Sequence, residues 1–129
     1  MNTTQRGFTI IELLFIVVII GAASVLFFFQ KNNLEIASRD ETRKTSINAM
    51  YYSLEEVFFK TNGYYPRTID EKILPSMDPA LFTDPQGVKI GEAASDYRYE
   101  SLNCDGDKCK SYTLRTTLEN EADFIKENR

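Results

Sequence analysis

Arg6-Gly7-Phe8-Thr9-Ile10-Ile11-Glu12 leads without a break into the apolar run Leu13 to Phe29, and this stretch decides how the rest of the 129-residue chain is read. Phe8 to Phe29 holds 22 residues. As a helix rising about 1.5 Å per residue they extend roughly 33 Å, enough to cross a hydrocarbon core of about 30 Å. Thirteen of the residues from Leu13 to Phe29 are Leu, Ile, Val or Phe. At about −0.3 to −0.6 kcal/mol each they favour insertion by roughly 4 to 8 kcal/mol, more than one acid near the end of the span costs. Glu12 is that acid, and an ionisable group at the head of a membrane-length segment is read as functional, with a partner to be named.

Two plainer readings account for less. A cleaved secretory signal with Gly21-Ala22-Ala23-Ser24 as its small-residue site would carry Glu12 inside its apolar core, and the hydrophobic run continues past that site through Val25, Leu26, Phe27, Phe28 and Phe29. A simple membrane anchor leaves Gly7 beside Phe8 unexplained.

Gly7-Phe8-Thr9-Ile10-Ile11-Glu12-Leu13 followed by the apolar run resembles the class III signal and N-terminal helix of type IV pilins and pseudopilins. The resemblance implies a leader, Met1 to Gly7, removed after Gly7 by a prepilin peptidase that also methylates the new terminus, Phe8. It further implies that Glu12 serves subunit assembly. Cleavage would create an α-amine on Phe8 that is cationic at neutral pH, and a buried carboxylate gains most from a cation held close. Phe8 and Glu12 are only about 6 Å apart along a helix axis. The resemblance nevertheless implies a contact between chains, Glu12 of an incoming subunit meeting the Phe8 amine of a neighbour and setting the axial stagger.

Composition bounds the remainder. With residues 1–7 as leader and 8–30 as the transmembrane or filament-core half of the helix, residues 31–129 make one small soluble domain. The formal net charge of −4 and the lack of a basic stripe give no support to DNA binding. Lys31, Arg39, Arg43 and Lys44 alternate with Glu35, Asp40 and Glu41, the mixture of a solvated helix face. By positive charge alone, Arg6 and the initial amine against those four cations would leave the C-terminal part in the cytoplasm. Cys104 and Cys109, if joined, place it instead in an oxidising exterior, as does the resemblance.

Beyond the span, Ile47, Met50, Tyr51, Leu54, Val57 and Phe58 recur at helical spacing, with Lys44, Ser46, Asn48, Ser53, Glu55, Glu56 and Lys60 elsewhere around the wheel. No proline lies between Ile10 and Phe59, so one helix of about fifty residues is expected, ending at Asn62-Gly63. Many pilins carry a proline in the span, and this chain does not. Gly63 to Gly91 is dense in turn signals and predicts a loop region with one helical turn near Asp70 to Leu74. Within it, Gly63-Tyr64-Tyr65-Pro66 and Asp84-Pro85-Gln86-Gly87 resemble elements that follow the long helix in major pseudopilins and in some small pilins. Asp96 to Leu102 and Lys110 to Leu118 alternate as strands, the second with Tyr112, Leu114, Thr116 and Leu118 on one face. Cys104-Asp105-Gly106-Asp107-Lys108-Cys109 between them suits a tight turn that brings the two sulfurs together across the hairpin.

Two cysteines without a histidine anywhere in the chain are too few for structural zinc. Asp96, Asp105 and Asp107 offer oxygens for calcium, which related pseudopilins bind, but they lack the spacing of a calcium loop. No cofactor is expected. The missing histidine also removes the commonest general base, and no phosphate loop or paired-carboxylate signature stands in for it, so no enzyme is expected. The seven tyrosines are assigned to packing between helix and sheet.

The expected fold is α+β, a long N-terminal helix, its first half transmembrane, packed on a small antiparallel sheet with a disulfide-closed hairpin. The expected function is that of a pilin, assembled into a helical filament with identical or related subunits after processing. Its other partners would be the prepilin peptidase, an assembly platform and its ATPase. It would be a single-pass inner-membrane precursor and then part of an extracellular pilus or periplasmic pseudopilus. Alternatives are a secretion pseudopilin or competence-type pilin and, outside the family, a single-span anchored ligand-binding protein.

Overall fold

The computed structural model describes residues 7–129, so six of the seven residues of the expected leader lie outside the described residues. The chain divides into two compact units, the first ending at Glu35 and the second running from Ile36 to Arg129.

Helix α1 (Ile10–Tyr52) passes into a π-helical turn (Ser53–Phe58) and then a short helix α2 (Phe59–Asn62). Gly63 ends the run with φ of 76°, a left-handed conformation in which glycine meets no Cβ penalty. The expected continuity of the helix and its end at Gly63 are both found. The π turn was not expected, and it changes which side chains face inward. Ile47, Met50 and Leu54 are fully buried, as the spacing predicts, whereas Val57, assigned to the same face, is about half exposed. A turn bonded i to i+5 adds a residue and rotates the following positions off the 3.6-residue register. Glu55, expected on the outer face, is buried in its place.

The second unit builds its core against that helix. Strands β2 (Tyr97–Asp105) and β3 (Lys108–Thr116) form an antiparallel hairpin paired from Tyr97 opposite Thr116 to Asp105 opposite Lys108, with a break at Asn103, whose φ is 55°. Both run somewhat nearer the turn than the sequence predicts. Gly106 alone of the two turn residues has positive φ, 61°, which suits glycine at the first central position of a II′ turn. Cys104 and Cys109 pair across the strands as a disulfide, as expected. Two short strands share the opposite edge of β3: β1 (Tyr65–Pro66) lies against Cys109 and Lys108, and β4 (Phe124–Glu127) against residues 113–116. Neither was expected from the sequence. The architecture is α+β, a long helix packed against a four-stranded antiparallel sheet.

Tyr112, Leu114, Thr116 and Leu118 are buried on the face the alternation predicts, and Tyr97 joins them from β2. The region from Gly63 to Gly91 is mostly loop, with the expected turn closed by the Leu74 amide donating to the Asp70 carbonyl at 3.0 Å. It also holds an unexpected 3₁₀ helix, Pro79–Phe82, whose Phe82 enters the core and whose Asp78 carboxylate caps the Ala80 amide. Asp84, the acid of Asp84-Pro85-Gln86-Gly87, is buried. It accepts from the amides of Gln86, Val88 and Asp96, each at 2.9 Å, so one carboxylate closes the loop and ties it to the start of β2.

The expectation of a solvated charged face on the helix is corrected at two positions. Arg43 is 2% exposed and Asp40 is 4% exposed. The Arg43 guanidinium donates to Asp40 at 2.9 Å, Glu119 at 2.9 Å and Asp96 at 3.0 and 3.1 Å. Asp40 in turn accepts from the backbone amides of Glu119 and Asn120. Burial alone would raise the Asp40 carboxyl, but these amides and Arg43 together hold it below the usual carboxylate range. Arg39 grips Glu119 through two bonds of 2.8 Å, and this ion pair, with Arg43 second, lowers Glu119 to about 2. Arg39, Asp40, Arg43 and Lys44 hold the helix to residues 119–121 after β3, and Arg43 also to Asp96 before β2, while Lys31, Glu35 and Glu41 are exposed as expected.

Candidate functional site

The candidate site begins where the helix begins. Gly7, Phe8 and Thr9 lie outside any regular element, and all three are exposed. Thr9 caps α1: its Oγ1 accepts from the Glu12 amide at 3.2 Å and its carbonyl from the Leu13 amide at 3.1 Å. A threonine with a glutamate three residues on is the spacing of a capping box, and an acid in the first turn also complements the positive end of the helix dipole. Glu12 therefore stabilises the helix start whatever else it does. The Thr9-x-x-Glu12 spacing was available in the sequence and was passed over there. Gly7, Phe8 and Glu12 thus fall within one short exposed segment, while Cys104 and Cys109 belong to the second unit.

From Gly7 to Glu35 every residue is exposed, and the apolar ones are exposed around the whole circumference of the helix. Ile16, at 40%, is the least exposed of the large side chains there, and Ile10 the most, at 81%. This is the one helix among the described residues long and apolar enough to cross a membrane, with a mean hydropathy of 2.8 in its most apolar window. A single Leu, Ile, Val or Phe left in water forgoes about 1.5–3 kcal/mol of burial, so this exposed segment calls for lipid or other helices around it. A helix satisfies its own backbone in such surroundings. Ser24, its lone hydroxyl from Leu13 to Phe29, is satisfied as well by donating to the Ile20 carbonyl at 2.7 Å.

In the second unit the buried Glu55 carboxylate is the focus of a polar cluster. It accepts from the Tyr112 hydroxyl at 2.8 Å, from the Tyr65 hydroxyl at 3.0 and 3.1 Å, and from the Arg129 amide at 3.4 Å. Burial first, and then the bond to Glu55, push the Tyr65 hydroxyl up to about 12 and raise Tyr112 as well. Phe59, Tyr65, Tyr112 and Tyr99 form a chain of ring contacts with centroids 4.7 to 5.6 Å apart, so Tyr65, Tyr99 and Tyr112 pack between helix and sheet as assigned, whereas Tyr52, assigned with them, is exposed.

The oxygen ligands weighed for calcium are not brought together. Asp96 is bound to Arg43 just before β2, whereas Asp105 ends β2 and Asp107 lies in the turn beyond it. The strand β2, at about 3.3 Å per residue, runs between Asp96 just before it and Asp105 at its end. Among the described residues no three acidic, cysteine or histidine side chains form a group able to hold a metal ion. No protein-family model, curated protein or solved structure matches the chain.

Proposed function

We propose that the protein is a pilin-like filament subunit, stored in a membrane through Phe8–Phe29 and assembled through the same helix after cleavage between Gly7 and Phe8. One observation carries this reading: a membrane-length apolar helix, exposed on all sides, bears one acid in its first turn and follows directly on an exposed, non-helical Gly7-Phe8. A peptidase needs its scissile bond in accessible, irregular backbone, and that is the state of these residues. An anchor for a receptor needs the apolar length and gains from Glu12 at the helix start, but it leaves Gly7 beside Phe8 unexplained.

Cutting before Phe8 leaves an amine five residues from the acid, counting Phe8 as the first. In a helical bundle Glu12 of one chain then neutralises the terminus of the next. Because leaving one buried charge alone costs several kcal/mol, the pair selects the register in which both are satisfied. The disulfide at the β2–β3 turn agrees with a domain held outside the cytoplasm.

A second reading within the same family is a secretion pseudopilin. The buried Asp84 organises Asp84-Pro85-Gln86-Gly87 and fastens it to β2, in a loop whose sequence resembles both major pseudopilins and some small pilins and so supports either form of the family reading. The test is mass spectrometry of the mature N terminus together with electron microscopy of the cell surface. A subunit beginning at methylated Phe8 supports the family reading, and surface filaments separate a pilus from a periplasmic pseudopilus. A mature protein beginning at Met1 overturns both.

A further inference from the structure

The second unit carries its charge unevenly along the helix direction. Strands β2 and β3 run alongside the helix, so Arg43 and Asp96 mark one end of the unit and Phe59, Tyr64 and Lys108 the other, about 25 Å away at 1.5 Å per helical residue. At the second end Arg67, Lys72, Lys108 and Lys110 are exposed around a half-buried Tyr64. Lys108 Nζ sits 5.2 Å over the Tyr64 ring, and Arg67 donates to the Gly106 carbonyl at 2.9 Å. None of the four has a carboxylate within ion-pair distance among the described residues, although Asp105 and Asp107 share the neighbourhood. Two open grooves flank Tyr64, one walled by Phe59, Lys108 and Lys110, the other by Arg67 and Lys72. At the first end Glu41, Glu121 and Asp123 are exposed, and only Glu121 has a cation, Lys44 at 2.9 Å.

We infer that the basic end around Tyr64 docks the acidic end, Glu41, Glu121 and Asp123, of a second copy of this chain. Four of the six described cations without a carboxylate partner lie at this end, Arg98 and Lys126 being the other two, and in a chain with a net charge of −4 their complement is the acidic other end of the same molecule. A contact between two different ends of the same molecule is heterologous, and a heterologous contact that does not close into a ring propagates as an open helical array. This rests on the filament reading and adds to it a second, solvent-side contact.

The experiment is zero-length carbodiimide crosslinking of the full chain in the membranes of producing cells, with mass spectrometry of the joined peptides. Lys108 or Lys110 is expected joined to Glu121 or Asp123 of another chain. Lys108→Glu/Lys110→Glu and Glu121→Lys/Asp123→Lys each remove one reactive partner as well as introducing like-charge repulsion, so each should lose that product, and its recovery in the exchanged chain carries the test. The four-substitution chain should restore it with the partners exchanged, which a merely misfolded variant cannot do. Filaments without this crosslink, or the crosslink without rescue in the exchanged chain, overturn the docking and leave the filament reading standing. The crosslink with its rescue, but from chains that still begin at Met1, supports the docking and overturns the filament reading.

Discussion

The Tyr112 hydroxyl on the central strand donates to the Glu55 carboxylate in the π turn at 2.8 Å, and both groups are buried. Helix and sheet thus meet through a polar contact inside an otherwise apolar core. A hydrogen bond to a charged group contributes about 1.5–3 kcal/mol, so Tyr112→Phe should destabilise the folded domain by about 2 kcal/mol. Glu55→Leu removes the acceptor from two tyrosines and should cost at least as much. Denaturant unfolding of the full chain in detergent measures both, and equal stability of Tyr112→Phe and the parent would refute the assignment.

Arg43 is the hub of the clamp between α1 and the segment after β3. Arg43→Ala leaves Asp40 buried beside its two amide donors without its guanidinium, at a cost on the order of 3 kcal/mol. Arg43→Lys should recover only part of this, because an ammonium cannot reach Asp40, Asp96 and Glu119 in the fork geometry. Thermal unfolding should rank parent, lysine variant and alanine variant in that order.

Acid should loosen the same clamp. Glu119 has a folded value of about 2 against an ordinary 4.5, lowered by Arg39 first and Arg43 second. A carboxyl depressed on folding contributes stability that is present above its unfolded value and lost as pH falls toward the folded one. Stability should therefore decline from about pH 4.5 to about pH 2, with Asp40 contributing in the same direction. In Glu119→Gln the decline should be shallower across that window, as followed by circular dichroism at fixed temperature.

Glu12→Ala should insert into membranes as well as the parent, since the apolar run is untouched, yet fail to assemble. Gly7→Val should accumulate uncut. Immunoblotting of membrane fractions, with electron microscopy of sheared surface material, separates these outcomes. Normal filaments from Glu12→Ala would refute its assembly role and leave it as a helix-capping acid.

Replacing Cys104 and Cys109 with serine should cost only about 2 kcal/mol on chain-entropy grounds, because the closed loop spans a sequence separation of 5. The hairpin register is also held by the pairs from Tyr97–Thr116 to Leu102–Ser111. The double variant should remain folded, with faster amide exchange confined to residues near the turn.

The parts of the fold that sequence makes legible are the local ones. The apolar run, the break at Gly63 and the alternation of Lys110 to Leu118 each specify their own element within a few residues. Tyr65–Pro66 and Phe124–Glu127 are too short to show a period, and they become strands only because β3 offers them an edge. The burial of Glu55 is illegible for a different reason: a π turn shifts the helical register, and nothing in Ser53–Phe58 announces one. Asp40 and Arg43 read as solvated because their partners, Asp96, Glu119 and Asn120, are 53 or more residues away. At the candidate site the start of the helix beside Gly7, Phe8 and Glu12 is legible, whereas the capping role of Thr9 lies in the Thr9-x-x-Glu12 spacing that the apolar run overshadows.

The bonds from Asp40 to the amides of Glu119 and Asn120 span 79 and 80 residues, nearly the length of the second unit. During synthesis the first turn of the domain emerges long before the backbone that must close over it. The α1 end of the domain then has to wait, open and hydrated, until β3 and the residues that follow it have been made. Any nascent chain halted short of residue 119 would present Asp40 and Arg43 to quality-control proteases as an unfinished seam.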